Sequence, residues 1–285
     1  MIYHYTTLQT ANSILNNYRQ SEDKDNIVFW ASSIYMMNDP TEMQYGWDVL
    51  IETLCGYEDA NDVPADIRLS NFMKETEKSP FSKVFEEHFY NEDKTVFVIS
   101  FSKEKDYLPM WSTYGENGNG ICLCFDEKFF HTKNEMMIVF PALSTLYLGQ
   151  SNNDESTMKA LGEIIGQEYK FYLEGTKSFL EKTQTIGTMI PIVSACIKDS
   201  AFAYENEKRV VAMPHNINES ICFRTSVKGN LVPFVKIPIP IKSLKEIIVG
   251  PGIQTENVKR GLQLFLHSCE VKIPLSLSCV PYREI

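Results

Sequence analysis

Seven cysteines occur in the 285 residues, at 55, 122, 124, 196, 222, 269 and 279, yet no two have CxxC spacing. Without such pairs a structural zinc site is not expected. Most of these thiols sit in apolar strings such as Ile121-Cys-Leu-Cys-Phe125, where they read as small buried hydrophobes. Histidine is scarce, with five residues too scattered to build a multi-histidine centre, so no metal is expected. No apolar run approaches the ~20 residues of a membrane-spanning helix. The start Met1-Ile-Tyr-His-Tyr5 has neither the basic nor the apolar region of a signal peptide, so a cytoplasmic location with no membrane partner is expected. Positive charge is in deficit, 27 Lys and Arg against 37 Asp and Glu, for a net charge of −10. That balance opposes broad nucleic-acid binding, although it leaves room for a local basic pocket.

The chain also has no internal repeat, no low-complexity linker and no regular strand-helix-strand alternation. What it does have is 44% hydrophobic and 22% charged residues, an ordinary globular balance. The expectation is a single α+β domain over residues 1–285, with a split or curved mixed sheet, surrounding helices and room for a helical insertion at 155–199. Ile2 to Tyr5 reads as a strand, followed by a helix capped by Thr6 or Thr7. Ile27 to Ala31 reads as a buried strand. Asp39-Pro40-Thr41-Glu42 carries the signature of a helix start, with Glu42 at the capping-box position. Thr95 to Ser102 is the best central strand, and Asp106 to Tyr114 a short helix presenting Trp111 and Tyr114 on one face. Met189 to Lys198 reads as a helix, and 231–239, with Pro233 and Pro238, as an edge strand.

The polar cluster Tyr204-Glu-Asn-Glu-Lys-Arg209 runs straight into the apolar pair Val210-Val211. In an extended backbone Glu205, Glu207 and Arg209 project from one face. That row is either a surface ion-pair ladder or a site in which one carboxylate is held charged and aimed. The loop Gly115-Glu-Asn-Gly-Asn-Gly120 reads as a turn into the next strand and matches no phosphate-loop pattern.

Two resemblances add to this reading. The string Tyr3-His4-Tyr5-Thr6, ahead of a helix containing Ile14-Leu15, is similar to the first motif of the histidine-tyrosine-glutamate branch of ADP-ribosyltransferases. Tyr5 stands where that motif usually has glycine. Over nearly its whole length the chain also resembles a bacterial family labelled only as a domain of unknown function. The shared strings are Tyr3-His-Tyr-Thr6, Met37-Asn-Asp-Pro-x-Glu42, Ile99-Ser-Phe-Ser102, Met110-Trp-Ser-x-Tyr114, Gly120-Ile-Cys-Leu-Cys-Phe125, Tyr204-Glu-x-Glu-x-Arg209 and Ile247-Ile-Val-Gly-Pro251.

The first resemblance implies NAD as a substrate, cleaved at its nicotinamide glycosidic bond. His4, with Thr6 beside it, would contact ribose, and Tyr114 or Trp111 would stack on nicotinamide. Asn38 or Arg209 would meet ribose or pyrophosphate. Glu207 would hold the ribose 2′-hydroxyl near the developing oxocarbenium ion, and Glu205 would help activate a macromolecular acceptor that the motifs leave open. Two other function classes fit the same residues. One is a non-catalytic module that binds a nucleotide or peptide on the same scaffold, a reading favoured by Tyr5. The other is a hydrolase or nuclease holding a divalent metal with Asp39, Glu42 and Glu207.

Overall fold

The structure is a computed structural model describing residues 1–37, 39, 41–65, 68, 70–71, 96–130, 134, 136–148, 191–226, 229–252 and 254–281. Ile2–Thr6 forms strand β1. Thr7 then caps helix α1 (Leu8–Gln20) by accepting a hydrogen bond from the Thr10 N–H at 3.2 Å. Strand β2 (Asn26–Ser33) alternates between buried and partly exposed positions rather than being buried throughout, because one of its faces meets a cavity. Helix α2 (Glu42–Ala60) follows, then the central strand β3 (Phe97–Ser102), the short helix α3 (Leu108–Thr113) and strand β4 (Ile121–Phe125). Strands β5 (Met137–Ser144) and β6 (Leu146–Leu148) come next, followed by β7 (Ile197–Asp199) and β8 (Glu207–Pro214). Strands β9 (Ile221–Thr225), β10 (Leu231–Pro240) and β11 (Leu244–Val249), helix α4 (Thr255–Ser268) and strand β12 (Leu275–Leu277) complete the chain.

The result is a mixed α/β fold around a mostly antiparallel sheet. The order β12-β11-β4-β1-β3-β2-β10-β9 forms its main path, with β8 and β5 branching from β3. The branch arises because β3 carries too many partners for two edges. All six of its residues pair with β8 on one edge. The other edge is therefore divided, Ser102 pairing with Tyr3 of β1, and Val98 and Phe97 with Ser32 and Ser33 of β2. Between these contacts β1 and β2 diverge and the sheet opens. The His4 side chain reaches into that opening, where its Nδ1 lies 2.9 Å from the Ser100 carbonyl oxygen.

Each face of the sheet carries its own core, as period-two alternation requires. Phe29, Phe97, Ile99, Phe101 and Val210 pack under α1 and α4, while Val98, Val211 and Met213 pack with Trp47, Leu50 and Leu54 of α2. No helix among the described residues is long and apolar enough to cross a membrane.

Three sequence expectations change. The helix expected to run to Lys198 stops near residue 194, and Ile197–Asp199 pairs in parallel with β6 instead. The proline-rich strand β10 is internal, not an edge. It tolerates its prolines because β9 pairs with residues 231–235 and β2 with residues 234–240, so each of Pro233, Pro238 and Pro240 has a neighbour on one side only. Glu205 ends a 3-10 helix (Ser200–Glu205) and does not share an extended strand with Glu207. The helical insertion expected at 155–199 falls largely outside the described residues.

Helix α2 approaches the segment before β7 so closely that a Cβ on Gly46 would sit 2.2 Å from the Ser194 carbonyl oxygen. Gly46→Ala should therefore cost about 1–3 kcal/mol by overpacking. Gly261→Ala, in α4 with no described atom within 4 Å of the added Cβ, should instead stabilise by roughly 0.5–1 kcal/mol. Urea unfolding of both variants tests the contrast, and equal effects would mean that α2 does not seat against Ser194.

Candidate functional site

A cavity of about 290 Å³ opens over the split in the sheet. Its lining brings together His4 and Thr6 of β1, Ser100 of β3, Tyr114 after α3, Glu205 and Glu207. Residues 4 and 207 meet because β1 and β8 flank the same central strand.

The carboxylates are aimed by a single left-handed residue. Asn206, at φ 41° and ψ 58°, turns the end of the 3-10 helix directly into β8. Asparagine tolerates this conformation better than other side chains with a Cβ. The turn is fixed on both sides, since Ser102 Oγ donates to the Glu205 carbonyl at 2.7 Å and Asn206 Nδ2 donates to Glu104 Oε1 at 2.7 Å. Glu205 and Glu207 therefore both face the cavity, although not through the strand alternation expected for them.

A buried ionic chain runs along the cavity wall and down to Arg209. Tyr114 Oη donates to Glu205 Oε1 at 2.6 Å, and Lys198 Nζ donates to Glu205 Oε2 at 2.6 Å. Lys198 also lies 3.5 Å from Glu207 Oε2, which accepts from Arg209 Nη2 at 2.9 Å. The guanidinium in turn pairs with Glu42, and its Nη1 donates to the Ala195 carbonyl. Arg209 is wholly buried and the other four charged groups are at most 5% exposed. With every group ionised, three carboxylates face two cations, leaving one excess negative charge.

Burial works against each charge, and the neighbours decide which survive. Desolvation opposes ionisation of Glu207, but Arg209 and Lys198 outweigh it and hold the carboxyl below its ordinary range. Desolvation also opposes the Lys198 ammonium, which Glu207, Glu42 and Glu205 nevertheless raise above its usual pKa. For Glu42 burial prevails over Arg209 and Lys198, and its carboxyl is pushed up. Burial lowers the pKa of His4 despite its bond to Ser100, favouring the neutral ring. A carbonyl oxygen can only accept, so Nδ1 carries the proton and Nε2 is left as an acceptor.

Not every expected residue gathers here. Trp111 is fully buried away from the cavity, its ring edge-on to Tyr5 at 4.9 Å and its Nε1 donating to Asp106 Oδ1 at 2.8 Å. Arg209 lies beneath the cavity, committed to Glu42 and Glu207, instead of among the lining residues. Asn38 lies outside the described residues. The Gly115–Gly120 loop packs on the backbone of Gly250 and Gly252, with Gly252 N–H donating to Gly118 O at 2.9 Å.

Conversely, Glu42 is not the capping-box residue expected. Among the described residues no side chain caps α2, and Asp39 accepts instead from the Thr41 N–H at 2.9 Å. Lys198 was missed because it was read as a helix end. Its one sequence signal is a lone cation after the apolar run Ile192-Val-Ser-Ala-Cys-Ile197. Among the described residues no three or more His, Cys, Asp or Glu side chains are arranged to hold a metal ion. Glu42 and Glu207 instead meet through Arg209.

A family described as a protein of unknown function (DUF2971) matches residues 110–210. That stretch contains Tyr114, Lys198, Glu205, Glu207 and Arg209, while His4 and Glu42 lie before it. No curated protein and no solved structure matches the chain.

Arg209→Met would leave Glu42 and Glu207 buried without their shared cation, and should cost roughly 3–5 kcal/mol. The two carboxyls differ in their pH linkage. The depressed Glu207 contributes stability that is present above its unfolded pKa, about 4.3, and lost as pH falls through its folded value. The raised Glu42 has the opposite sign, since the folded state holds its proton longer and stability falls as pH rises through its folded value. Glu42→Gln should therefore gain on the wild type as pH increases above about 4.3. Denaturant melts between pH 4 and 8 measure this, and a difference that does not change with pH would contradict it.

Proposed function

We propose that the cavity binds NAD and that the chain consumes it, breaking the nicotinamide glycosidic bond as an ADP-ribosyltransferase or a related enzyme. The observation that carries this reading is that His4, Tyr114, Glu205 and Glu207, drawn from distant parts of the chain, line one cavity over a split sheet. The first-motif resemblance at His4 and the split arrangement of the strands support an ADP-ribosyltransferase-like fold.

In the reaction the C1′–N bond breaks, nicotinamide leaves with the bonding pair, and positive charge develops on the ribose ring. Water or an acceptor nucleophile then bonds to C1′ and gives up its proton. The protein's part is electrostatic. Glu207, held ionised in the cavity wall, favours the cationic ring. Glu205, bonded by both Tyr114 and Lys198, sits where it can orient the nucleophile. Neutral His4 offers Nε2 as an acceptor for a ribose hydroxyl, and Tyr114 offers its ring to nicotinamide. A cavity of about 290 Å³ lies at the lower end of the range for pockets that bury small ligands, which suits one nucleotide half rather than both.

A second reading, a binding module without catalysis, is favoured by a different observation. Both oxygens of Glu205 already accept bonds, and Glu207 is committed to Arg209 and Lys198. Carboxylates so occupied also serve as fixed walls.

Incubation with NAD and measurement of free nicotinamide separates the two. On the catalytic reading the wild type releases nicotinamide, and Glu207→Gln lowers the rate by about 10²–10³-fold, the scale for losing one charge-stabilising group. Tyr114→Phe, which removes the Oη bond to Glu205, should cost about tenfold or more with the melting temperature little changed. NAD binding without release establishes the module, and neither binding nor release with any acceptor overturns both readings.

A further inference from the structure

The wall of the cavity farther from the carboxylates has the opposite chemistry. Arg224 lies on β9, the outer strand of the β2-β10-β9 branch, and its side chain crosses β10 so that Nη2 donates to Ser32 Oγ on β2 at 3.2 Å. The register requires this direction. Phe234 of β10 stands opposite Ser32 on one side and Cys222 on the other, so Arg224, two residues beyond Cys222, shares their face. Among the described residues no carboxylate pairs with Arg224. Among the described residues its fork of five N–H groups makes one side-chain bond, to Ser32.

Two further donors face the same space. Trp30, stacked on Phe234 at 4.7 Å, lines the cavity with its Nε1 buried and without a hydrogen-bond partner among the described residues. A buried N–H left unpaired is costly unless a ligand supplies the acceptor. Ser32, which accepts from Arg224, keeps its own hydroxyl proton to donate. A forked cation, an indole N–H and a hydroxyl, with no described carboxylate in ion-pair contact with Arg224, form a donor set suited to phosphate oxygens.

From β8, which carries Glu207, to β2 is two strand spacings, on the order of 10 Å. We infer that Arg224, with Trp30 and Ser32, forms a phosphate-binding wall, so the ligand is a phosphorylated nucleoside lying across the split. Its anionic group meets Arg224 and its reacting sugar meets the carboxylates. This inference rests on the nucleotide reading of the cavity and moves the pyrophosphate contact from Arg209 to Arg224, because Arg209 is buried in ion pairs.

The test compares ADP with adenosine, measured calorimetrically on the full chain. Charge-assisted contacts of this kind correspond to roughly 10–100-fold in affinity, so the wild type should bind ADP more tightly than adenosine by that factor. In Arg224→Gln the ratio should fall towards one. Arg224→Lys, which keeps the charge without the fork, should retain part of it. Trp30→Phe, which keeps the ring and removes the N–H, should weaken ADP more than adenosine. Thermal melts of each variant establish that it is folded. An unchanged ratio in Arg224→Gln, or no preference for ADP in the wild type, overturns the inference even if nicotinamide is released from NAD. A preference that depends on Arg224 in a protein that releases no nicotinamide upholds the inference while the catalytic reading falls.

Discussion

The guanidinium of Arg209 is the constraint on which the site is built. It lies on a central strand with no solvent exposure, and it joins the first turn of α2 through Glu42, the start of β8 through Glu207 and the segment before β7 through the Ala195 carbonyl. A cation in that position cannot be left without anions, because the desolvation it suffers exceeds what any single surface pair returns. Three otherwise separate pieces of chain are thereby required to converge. An apolar core of equal volume could stabilise the same packing, but it would not fix which carboxylate points where.

The charges are ordered by depth. Arg209 forms the floor, outside the lining, and Glu42, Lys198, Glu205, Glu207 and Tyr114 form the cavity wall above it. The ionisation of Glu207 thus depends on Arg209, a group outside the lining. The left-handed turn at Asn206 serves the same end in backbone terms. It converts two glutamates that would lie on a strand and its lead-in into two that converge from different directions.

Much of the scaffold was legible in the sequence because strand and helix periodicities are local. β3, β4, α3 and a helix capped at Thr6 or Thr7, settled at Thr7 by the structure, followed from runs of a few residues. The candidate site was legible only where a motif flagged it, as with His4, Tyr114 and Glu207. Glu42 was hidden by a sufficient local explanation, since Asp-Pro-Thr-Glu starts a helix whether or not its glutamate turns inward. Lys198 and Arg224 sit beside apolar residues without any pattern of their own. Their roles come from cross-strand neighbours nearly two hundred residues away in one case, as for Arg224 and Ser32. Internal β10 was misjudged for a related reason, because prolines forbid pairing at particular positions and not along a whole strand.

The position of β1 bears on how the protein comes into being. β1 is flanked by β3 and β4, and at about 5–20 residues per second its partner at Ser102 is synthesised roughly 5–20 s after it. Glu42 waits longer still, since its cation lies at position 209. During that interval the nascent chain holds an apolar strand with no neighbour and a carboxylate that only water can solvate. The centre of the sheet thus cannot close before β8 is made, and a chain interrupted before β8 would expose to cellular quality control the very surfaces that the finished fold buries most deeply.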